Sequence, residues 1–343
     1  MKGIPVIDPL GAAADPAMPW LTSALDPVDV TTRLQSACTR FVDEAAELCA
    51  IRVTRHKPSR RCVVEYDFES KGASSDASSR RQAKFTLLGK VRAKGLDKRT
   101  PQLVEALCRT GFEPDSADGI SAPQVAGAIP EFRMWLQVKV PGIPATDLLA
   151  QPDGAELARR IADAAHKVHV TPIAPERNHT IGDELRILSD RLSLVAKIKP
   201  GWAPRLQRVL KASVRLGDSL RTPQPCGIHR DFYPAQILVD GKRLWLLDFD
   251  LFCKGDPALD IGNFIGHLTE QSLRRFGDAN ALVDRERAME DRFVELSGEE
   301  TRPRMQAYQT LTLVRLVQLS TEFADRRPFS ERLLQLCEQR LEL

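Results

Sequence analysis

The sequence predicts an α+β chain of two lobes: a small N-terminal lobe built on strands, and a larger, mainly helical C-terminal lobe. Three observations predict it. Most β-prone runs fall within residues 48–140, long apolar repeats at helical spacing fill the chain beyond residue 150, and Pro141-Gly142 marks a change of composition between them. A chain of 343 residues is long enough for each lobe to bury its own core.

Residues 1–26, rich in Pro, Ala, Gly and Asp, read as a loosely structured lead-in. Asp29 is placed to cap a helix over 30–48, where Val30, Leu34, Ala37, Phe41 and Ala45 recur at helical spacing. Residues 1–47 are therefore set apart as lead-in and helix, before an N-lobe of 48–140. Cys49–Thr54 and Cys62–Phe68 read as strands flanking the basic turn His56–Arg61. Lys84–Ala93 reads as a third strand, and two more between Ala122 and Val140 are broken at Pro130. Residues 70–81, rich in Ser, Gly and Ala, read as a mobile connection. Thr100-Pro101 opens a helix that Gly111 stops. The expected N-lobe is thus a five-stranded antiparallel sheet with one internal helix. In the C-lobe, 141–343, helices are expected over 153–170, 182–198, 203–220, 257–276, 280–297 and, with breaks, 303–340. Leu311–Leu319 reads as a buried helix of this lobe rather than a seam between copies.

The most informative segment interrupts those helices. Cys226–Gln236 carries His229-Arg230-Asp231 and leads into the apolar run Ile237-Leu238-Val239; Asp240-Gly241 follows, then Leu244–Leu247 and Asp248. An Asp-Gly pair between two short β-prone runs signals a hairpin, which brings Asp231 and Asp248 to one mouth. Phosphoryl transfer needs two such acids: one orients the attacking hydroxyl and the other holds the Mg²⁺ that bridges the nucleotide phosphates.

The ordered set His229-Arg230-Asp231 with Gln236, then Asp248-Phe249-Asp250, then Gly255-Asp256-Pro257-Ala258-Leu259-Asp260-Ile261-Gly262-Asn263 resembles the catalytic core of the aminoglycoside phosphotransferase and choline kinase-like family. The resemblance covers most of the chain from residue 48 and is specific within 226–267. It implies a bilobal protein-kinase-like fold. It also implies a kinase that moves the γ-phosphoryl group of ATP, or GTP, to a hydroxyl of a small metabolite or antibiotic-like acceptor, with Mg²⁺ as cofactor. The departure is Gln236, where the family carries Asn: the same carbonyl oxygen on a stem one methylene longer. A second reading follows from it, a catalytically weak nucleotide-binding pseudoenzyme or regulatory module of the same fold. A protein kinase is disfavoured, because there is no G-x-G-x-x-G, D-F-D replaces D-F-G and no A-P-E follows.

On this resemblance Asp231 is the catalytic base or hydroxyl-orienting group, Asp248 the main Mg²⁺ ligand and Gln236 its partner ligand. Asp250 binds a second metal, orients water, or is a turn aspartate ending the strand. His229 holds the loop by packing and hydrogen bonding, and Asp260 supports it through its backbone. Lys90 is the candidate phosphate lysine: it shares a strand face with Leu88, while Leu87, Gly89 and Val91 face the other way. Glu105, the only carboxylate among residues 101–110, is its candidate partner, and Lys84 competes on the same face. The turn His56–Arg61 lies where a kinase has its Gly-rich loop but contains no Gly; Lys57, Arg60 and Arg61 either approach phosphates or form a solvated turn. Adenine is expected against backbone groups near Val138 and Val140.

Composition narrows the partners. A net charge of +3 demands neither nucleic acid nor an anionic membrane, so a small-molecule acceptor is the expected partner. Seven scattered cysteines without a C-x-x-C pair fit reduced thiols in a cytoplasm. Met1–Leu25 lacks the basic start and apolar core of a signal peptide, and no run approaches the ~20 apolar residues of a membrane span. A cytoplasmic location is expected. From residue 270 onward acids and bases nearly balance, with many arginines, so nothing points to a polycationic aminoglycoside; a sugar, an amino alcohol or another neutral metabolite fits as well.

Overall fold

The computed structural model describes residues 3–43, 45–70, 83–221 and 224–343, and the chain folds as two compact units, Met1–Pro141 and Gly142–Leu343.

In the first unit the chain runs through β1 (Val6–Ile7), α1 (Leu21–Ala24), α2 (Pro27–Ala37), α3 (Thr39–Asp43), β2 (Ala46–Lys57), β3 (Arg61–Ser70), β4 (Ala83–Arg92), α4 (Arg99–Leu107), β5 (Ile120–Ser121), β6 (Val125–Ile129) and β7 (Met134–Val138). The principal sheet has six strands, not five, in the order β1-β2-β3-β4-β7-β6. The addition is β1, which pairs in parallel with β2 through Val6 opposite Ile51 and Ile7 opposite Arg52. The other pairings are antiparallel.

The lead-in is also ordered, which corrects the expectation of a loose segment. Asp8 accepts hydrogen bonds from the Ala12 and Ala13 amides, and Asp15 from the Ser59 amide and the His56 ring. These local turns carry Ala12, Met18, Leu21 and Ala24 into one core with Val30, Leu34, Phe41, Tyr66 and Phe68. Asp, Pro and Gly imply turns, but composition does not reveal that the turns are anchored to the sheet. The cap of α2 is Asp26 rather than Asp29: its carboxylate accepts from the Val28 and Asp29 amides, with Pro27 at the first helical position. The helix ends at Ala37, and the first long strand begins at Ala46. The connection read over 70–81 lies outside the described residues, apart from Ser70 at the end of β3. The break at Pro130 is a 3₁₀ turn, Pro130–Phe132, between β6 and β7.

The second unit begins with β8 (Ile143–Pro144) and α5 (Ala145–Leu148), which the sequence did not signal. The helices α6 (Gly154–His169), α7 (Ile181–Ile198) and α8 (Ala203–Asp218) follow. Four short strands come next: β9 (Cys226–Ile228), β10 (Ile237–Asp240), β11 (Arg243–Leu246) and β12 (Cys253–Gly255). The chain closes with α9 (Ala258–Phe276), α10 (Val283–Ser297), α11 (Arg302–Glu322) and α12 (Ser330–Arg340). Thr180 and Asp183 form a capping box at the start of α7, as the polar pair before an apolar repeat implies. The hairpin β10–β11 runs from Ile237 opposite Leu246 to Asp240 opposite Arg243, with Gly241 in the left-handed region at φ 55°.

The packing that matters most for the site is α9 against α11. A Cβ on Gly262 would lie 2.6 Å from the Met305 carbonyl oxygen and 2.5 Å from the Tyr308 Cβ, and one on Gly266 would lie 2.7 Å from Thr312 Cγ2. Two glycines four residues apart on one helix face let the two backbones approach closely. Leu311, Leu313, Val314, Leu316 and Val317 of α11 are buried in this unit.

Candidate active site

The loop after β9 carries His229, Arg230 and Asp231, and a short 3₁₀ turn, Pro234–Gln236, returns the chain to β10. Three residues of α9 and its neighbours fix that loop. Asp260, fully buried, accepts the His229 amide on Oδ2 at 2.8 Å and the Arg230 amide on Oδ1 at 2.7 Å. His169 Nε2, at the end of α6, donates to Asp260 Oδ2 at 2.9 Å. One turn further along α9, Asn263 Nδ2 donates to the Phe232 carbonyl at 2.8 Å. Residues three apart on a helix share a face, so one face of α9 holds peptides on both sides of Asp231.

His229 is buried, and its Nε2 donates to the Leu247 carbonyl at 2.8 Å. A second tie runs from the Leu247 amide to the Gln236 carbonyl at 2.9 Å. The loop is thereby joined to the strand end that presents Asp248. Phe249 packs on the His229 ring at 4.8 Å between centroids, and Phe232 on Phe264 at 5.6 Å, so an apolar layer lies under the polar groups.

Asp231 and Asp248 are half-buried, and the Gln236 side chain joins them. Gln236 Nε2 lies 3.4 Å from Asp231 Oδ2 and 3.5 Å from Asp248 Oδ2, with the Tyr233 hydroxyl oxygen at 3.3 Å. One amide thus reaches both carboxylates. A half-turn about the last side-chain bond exchanges its nitrogen for its oxygen. Asp250 sits in the 3₁₀ turn Phe249–Leu251, and its backbone carbonyl accepts from Arg177 at 2.7 Å.

Arg230 and Asp248 have φ of 69° and 60°. L-residues with side chains adopt that left-handed region only when their surroundings fix it. Here the fixing groups are the Asp260 carboxylate on the Arg230 amide and the two ties through Leu247.

In the first unit Lys90 lies opposite Trp135 on β7, its ammonium 4.8 Å from the ring centroid. Leu87, Gly89 and Val91 are buried on the other face of β4. A Cβ on Gly89 would lie 2.4 Å from Met134 Sδ and 3.0 Å from the Tyr66 ring, so a side chain here would have to displace the buried Met134 side chain. The expected Lys90–Glu105 ion pair does not form. The buried face of α4 is Thr100, Val104 and Leu107, and Glu105, one residue from Val104, is exposed. Lys84 is paired with Glu69 at 2.7 Å on the surface. In the turn His56–Arg61, His56 and the Ser59 amide are held by Asp15, while Lys57 and Arg60 are exposed. The Val138 amide donates to the Gln124 carbonyl and the Lys139 amide to the Thr86 carbonyl. The peptide groups of Val140 have no hydrogen bond among the described residues.

Beside Asp231 lies a cavity of about 330 Å³ within the second unit. Tyr233 stacks on His267 at 4.7 Å on one wall, and arginines from α7, α9 and α11 reach the others. Burial, with Arg315 and Arg326 close by, pushes the His267 imidazole down to about 3, so it stays neutral. Burial alone would raise the Glu184 carboxyl; Arg315 and His179 outweigh it and hold the group at about 2. Sequence reasoning assigned no role to Asn263, His169, Tyr233 or these arginines. Asp260 and Asn263, three apart at the start of a predicted helix, carried a readable signal for the first of them.

A model of the phosphotransferase enzyme family matches residues 114–308, more than half of the chain. No curated protein matches. Among solved structures, an aminoglycoside phosphotransferase APH(4)-Ia in ternary complex with ADP and hygromycin B is similar at TM-score 0.58 and 12% identity, over 89% of this chain and 97% of that one. A spectinomycin phosphotransferase, APH(9)-Ia, in complex with ADP and its antibiotic aligns at TM-score 0.56 and 9% identity, over 92% and 98%. A choline/ethanolamine kinase family protein from Mesorhizobium loti aligns at TM-score 0.52 and 15% identity, over 85% and 88%. At these identities the likeness is one of fold, the bilobal kinase-like arrangement of a sheet-bearing and a helical lobe.

Proposed function

Because this chain belongs to the phosphotransferase enzyme family, we propose that it is a small-molecule kinase, transferring the γ-phosphoryl group of ATP or GTP to a hydroxyl of a small acceptor. The observation that carries this reading is the Gln236 amide within reach of both Asp231 and Asp248, in a loop pinned by Asp260 and Asn263. Solved structures of the same fold hold ADP beside hygromycin B or spectinomycin, which supports a nucleotide and a hydroxyl-bearing acceptor as the pair to test.

In the reaction the acceptor oxygen forms a bond to the γ-phosphorus, and the bond from that phosphorus to the β,γ-bridging oxygen breaks. The hydroxyl proton passes to Asp231, and the nucleoside diphosphate leaves with the bridging electrons. In a loose transition state the gain comes from position more than from basicity, and a half-buried carboxylate on a pinned loop supplies position. Asp248 and Gln236 offer hard oxygen donors of the kind Mg²⁺ takes, one or two protein groups with phosphate and water completing the shell. When bound, Mg²⁺ neutralises charge on the phosphates. Asp250 is assigned to a second ion or to ordered water. Lys90 is assigned to the phosphates, its ammonium free of a carboxylate partner among the described residues. The adenine or guanine edge is assigned to the open peptide groups of Val140, with Val138 packing beside them.

A panel of hydroxyl acceptors, assayed for release of ADP or GDP, tests the reading. Asp231→Asn is expected to lower kcat/KM by roughly 10²–10⁴ while nucleotide binding is retained. Full activity in that variant removes Asp231 from its role.

A further inference from the structure

We propose that the acceptor carries an anionic group, a carboxylate or a phosphate, in addition to the hydroxyl that is phosphorylated. The inference rests on the reading of Asp231 as the hydroxyl-orienting residue. The cavity beside Asp231 is lined by five guanidinium groups, Arg191, Arg230, Arg274, Arg315 and Arg326, against two carboxylates, Asp231 and Glu270.

Those carboxylates do not balance the arginines. Glu270 is engaged by Arg274 at 3.0 Å, with Arg326 at 3.9 Å. Arg315 is paired from behind the wall with Glu184 at 3.3 Å, and it also donates to Asn263. Arg191 donates to the neutral Gln318 side-chain carbonyl, and neither Arg191 nor Arg230 makes an ion pair among the described residues. Burial first, and then the neighbouring Arg315, lower the Arg191 pKa, while Glu322, Glu184 and Asp231 work the other way without outweighing them. Burial, and after it Arg315 and Arg326, keep His267 neutral, so it presents a stacked ring instead of another charge.

Like charges gathered in a partly enclosed cavity repel one another until a counter-charge enters. Guanidinium forks hold carboxylate and phosphate oxygens in pairs, which fixes orientation as well as position. An acceptor anchored there by its anionic end presents its hydroxyl toward Asp231, which lines the same cavity. A polycationic amino sugar meets the opposite situation, since Arg191, Arg230 and Arg326 oppose it across the pocket.

Glucose, glucuronate and glucosamine share a ring and differ in charge, and glucose 6-phosphate adds a phosphate arm. With Mg-ATP fixed, glucuronate or glucose 6-phosphate is expected to exceed glucose by about tenfold or more in kcat/KM, with glucosamine lowest. Replacing both Arg191→Gln and Arg326→Gln is expected to raise KM for the anionic acceptor by about tenfold and for glucose by far less. Glucosamine turned over as well as the anions overturns the charge assignment and leaves phosphoryl transfer standing. No turnover with these sugars or with a wider hydroxyl panel counts against the phosphotransfer reading instead. Binding then decides the charge assignment by itself. With the nucleotide site saturated by Mg-ADP, inorganic phosphate is expected to raise Tm, and the double variant to lose at least half of that rise relative to its own baseline. Absence of the rise, or an undiminished rise in the variant, overturns the proposal.

Discussion

Asp260 receives the His229 amide at 2.8 Å and is itself fully buried, so a helix thirty-one residues downstream holds the loop that presents Asp231. Removing the carboxylate in Asp260→Ala strands the His229 and Arg230 amides and the His169 ring. Each unsatisfied buried donor costs ~1–3 kcal/mol. Thermal unfolding is expected to show a Tm lower by roughly 5–15 °C, with Asp260→Asn intermediate. A variant that melts like the parent would detach α9 from the loop.

Mg-ATP is expected to raise Tm, since a ligand at a hundred times its Kd adds ~2.7 kcal/mol. Asp248→Ala should abolish the Mg²⁺-dependent part of that rise. Gln236→Asn, which draws the amide back by one methylene from a position set between both acids, is expected to raise the Mg²⁺ concentration for half-maximal rate by up to about tenfold. A parent protein that binds nucleotide with no Mg²⁺ response at all would favour the regulatory-module reading.

Gly262→Ala places a methyl against the α11 backbone, 2.6 Å from the Met305 carbonyl oxygen. The helices must part, at ~1–3 kcal/mol. Gly201 is the control, because a methyl added there would meet nothing within 4 Å. Gly201→Ala is expected to move stability by less than ~0.5 kcal/mol. Equal melting of the two variants would mean the α9–α11 contact tolerates expansion.

Burial pushes the Glu286 carboxyl up to about 7, against hydrogen bonds from Thr269 and Gln309 that pull it down. The unfolded chain releases this proton near the ordinary value of 4.5, so between there and 7 the folded state holds the extra proton. Its contribution is fully present below 4.5 and is lost as pH rises through 7. Each pH unit between the two values is worth ~1.4 kcal/mol. Tm measured over roughly pH 5–8 should fall less steeply in Glu286→Gln than in the parent; an unchanged slope would clear Glu286 of the effect.

The segment from Cys226 to Asn263 was readable because its signals are local. Asp240-Gly241 implies a turn wherever it lies, and the run Gly255–Asn263 places Asp260 and Asn263 on one helix face by spacing alone. The helices of the second unit followed from apolar repeats for the same reason. The lead-in was not readable, because its turns become ordered only against β2 and the core. Nor was the Lys90–Glu105 relation, which depends on how α4 is rotated about its axis. The arginines of the cavity stand at 191, 230, 274, 315 and 326, too far apart along the chain for any local motif to contain them.

Arg315 belongs to two structures at once. It lines the cavity beside Asp231, and through Asn263 it bears on the Phe232 carbonyl, just past Asp231. Retuning the pocket at this position therefore disturbs the loop that carries Asp231, whereas Arg191 and Arg326 make no hydrogen bond to that loop or to Asn263 among the described residues. A lineage or a designer seeking a new acceptor would find the freer route through α7 and the segment after α11, with Arg315 left in place as the hinge pin of both.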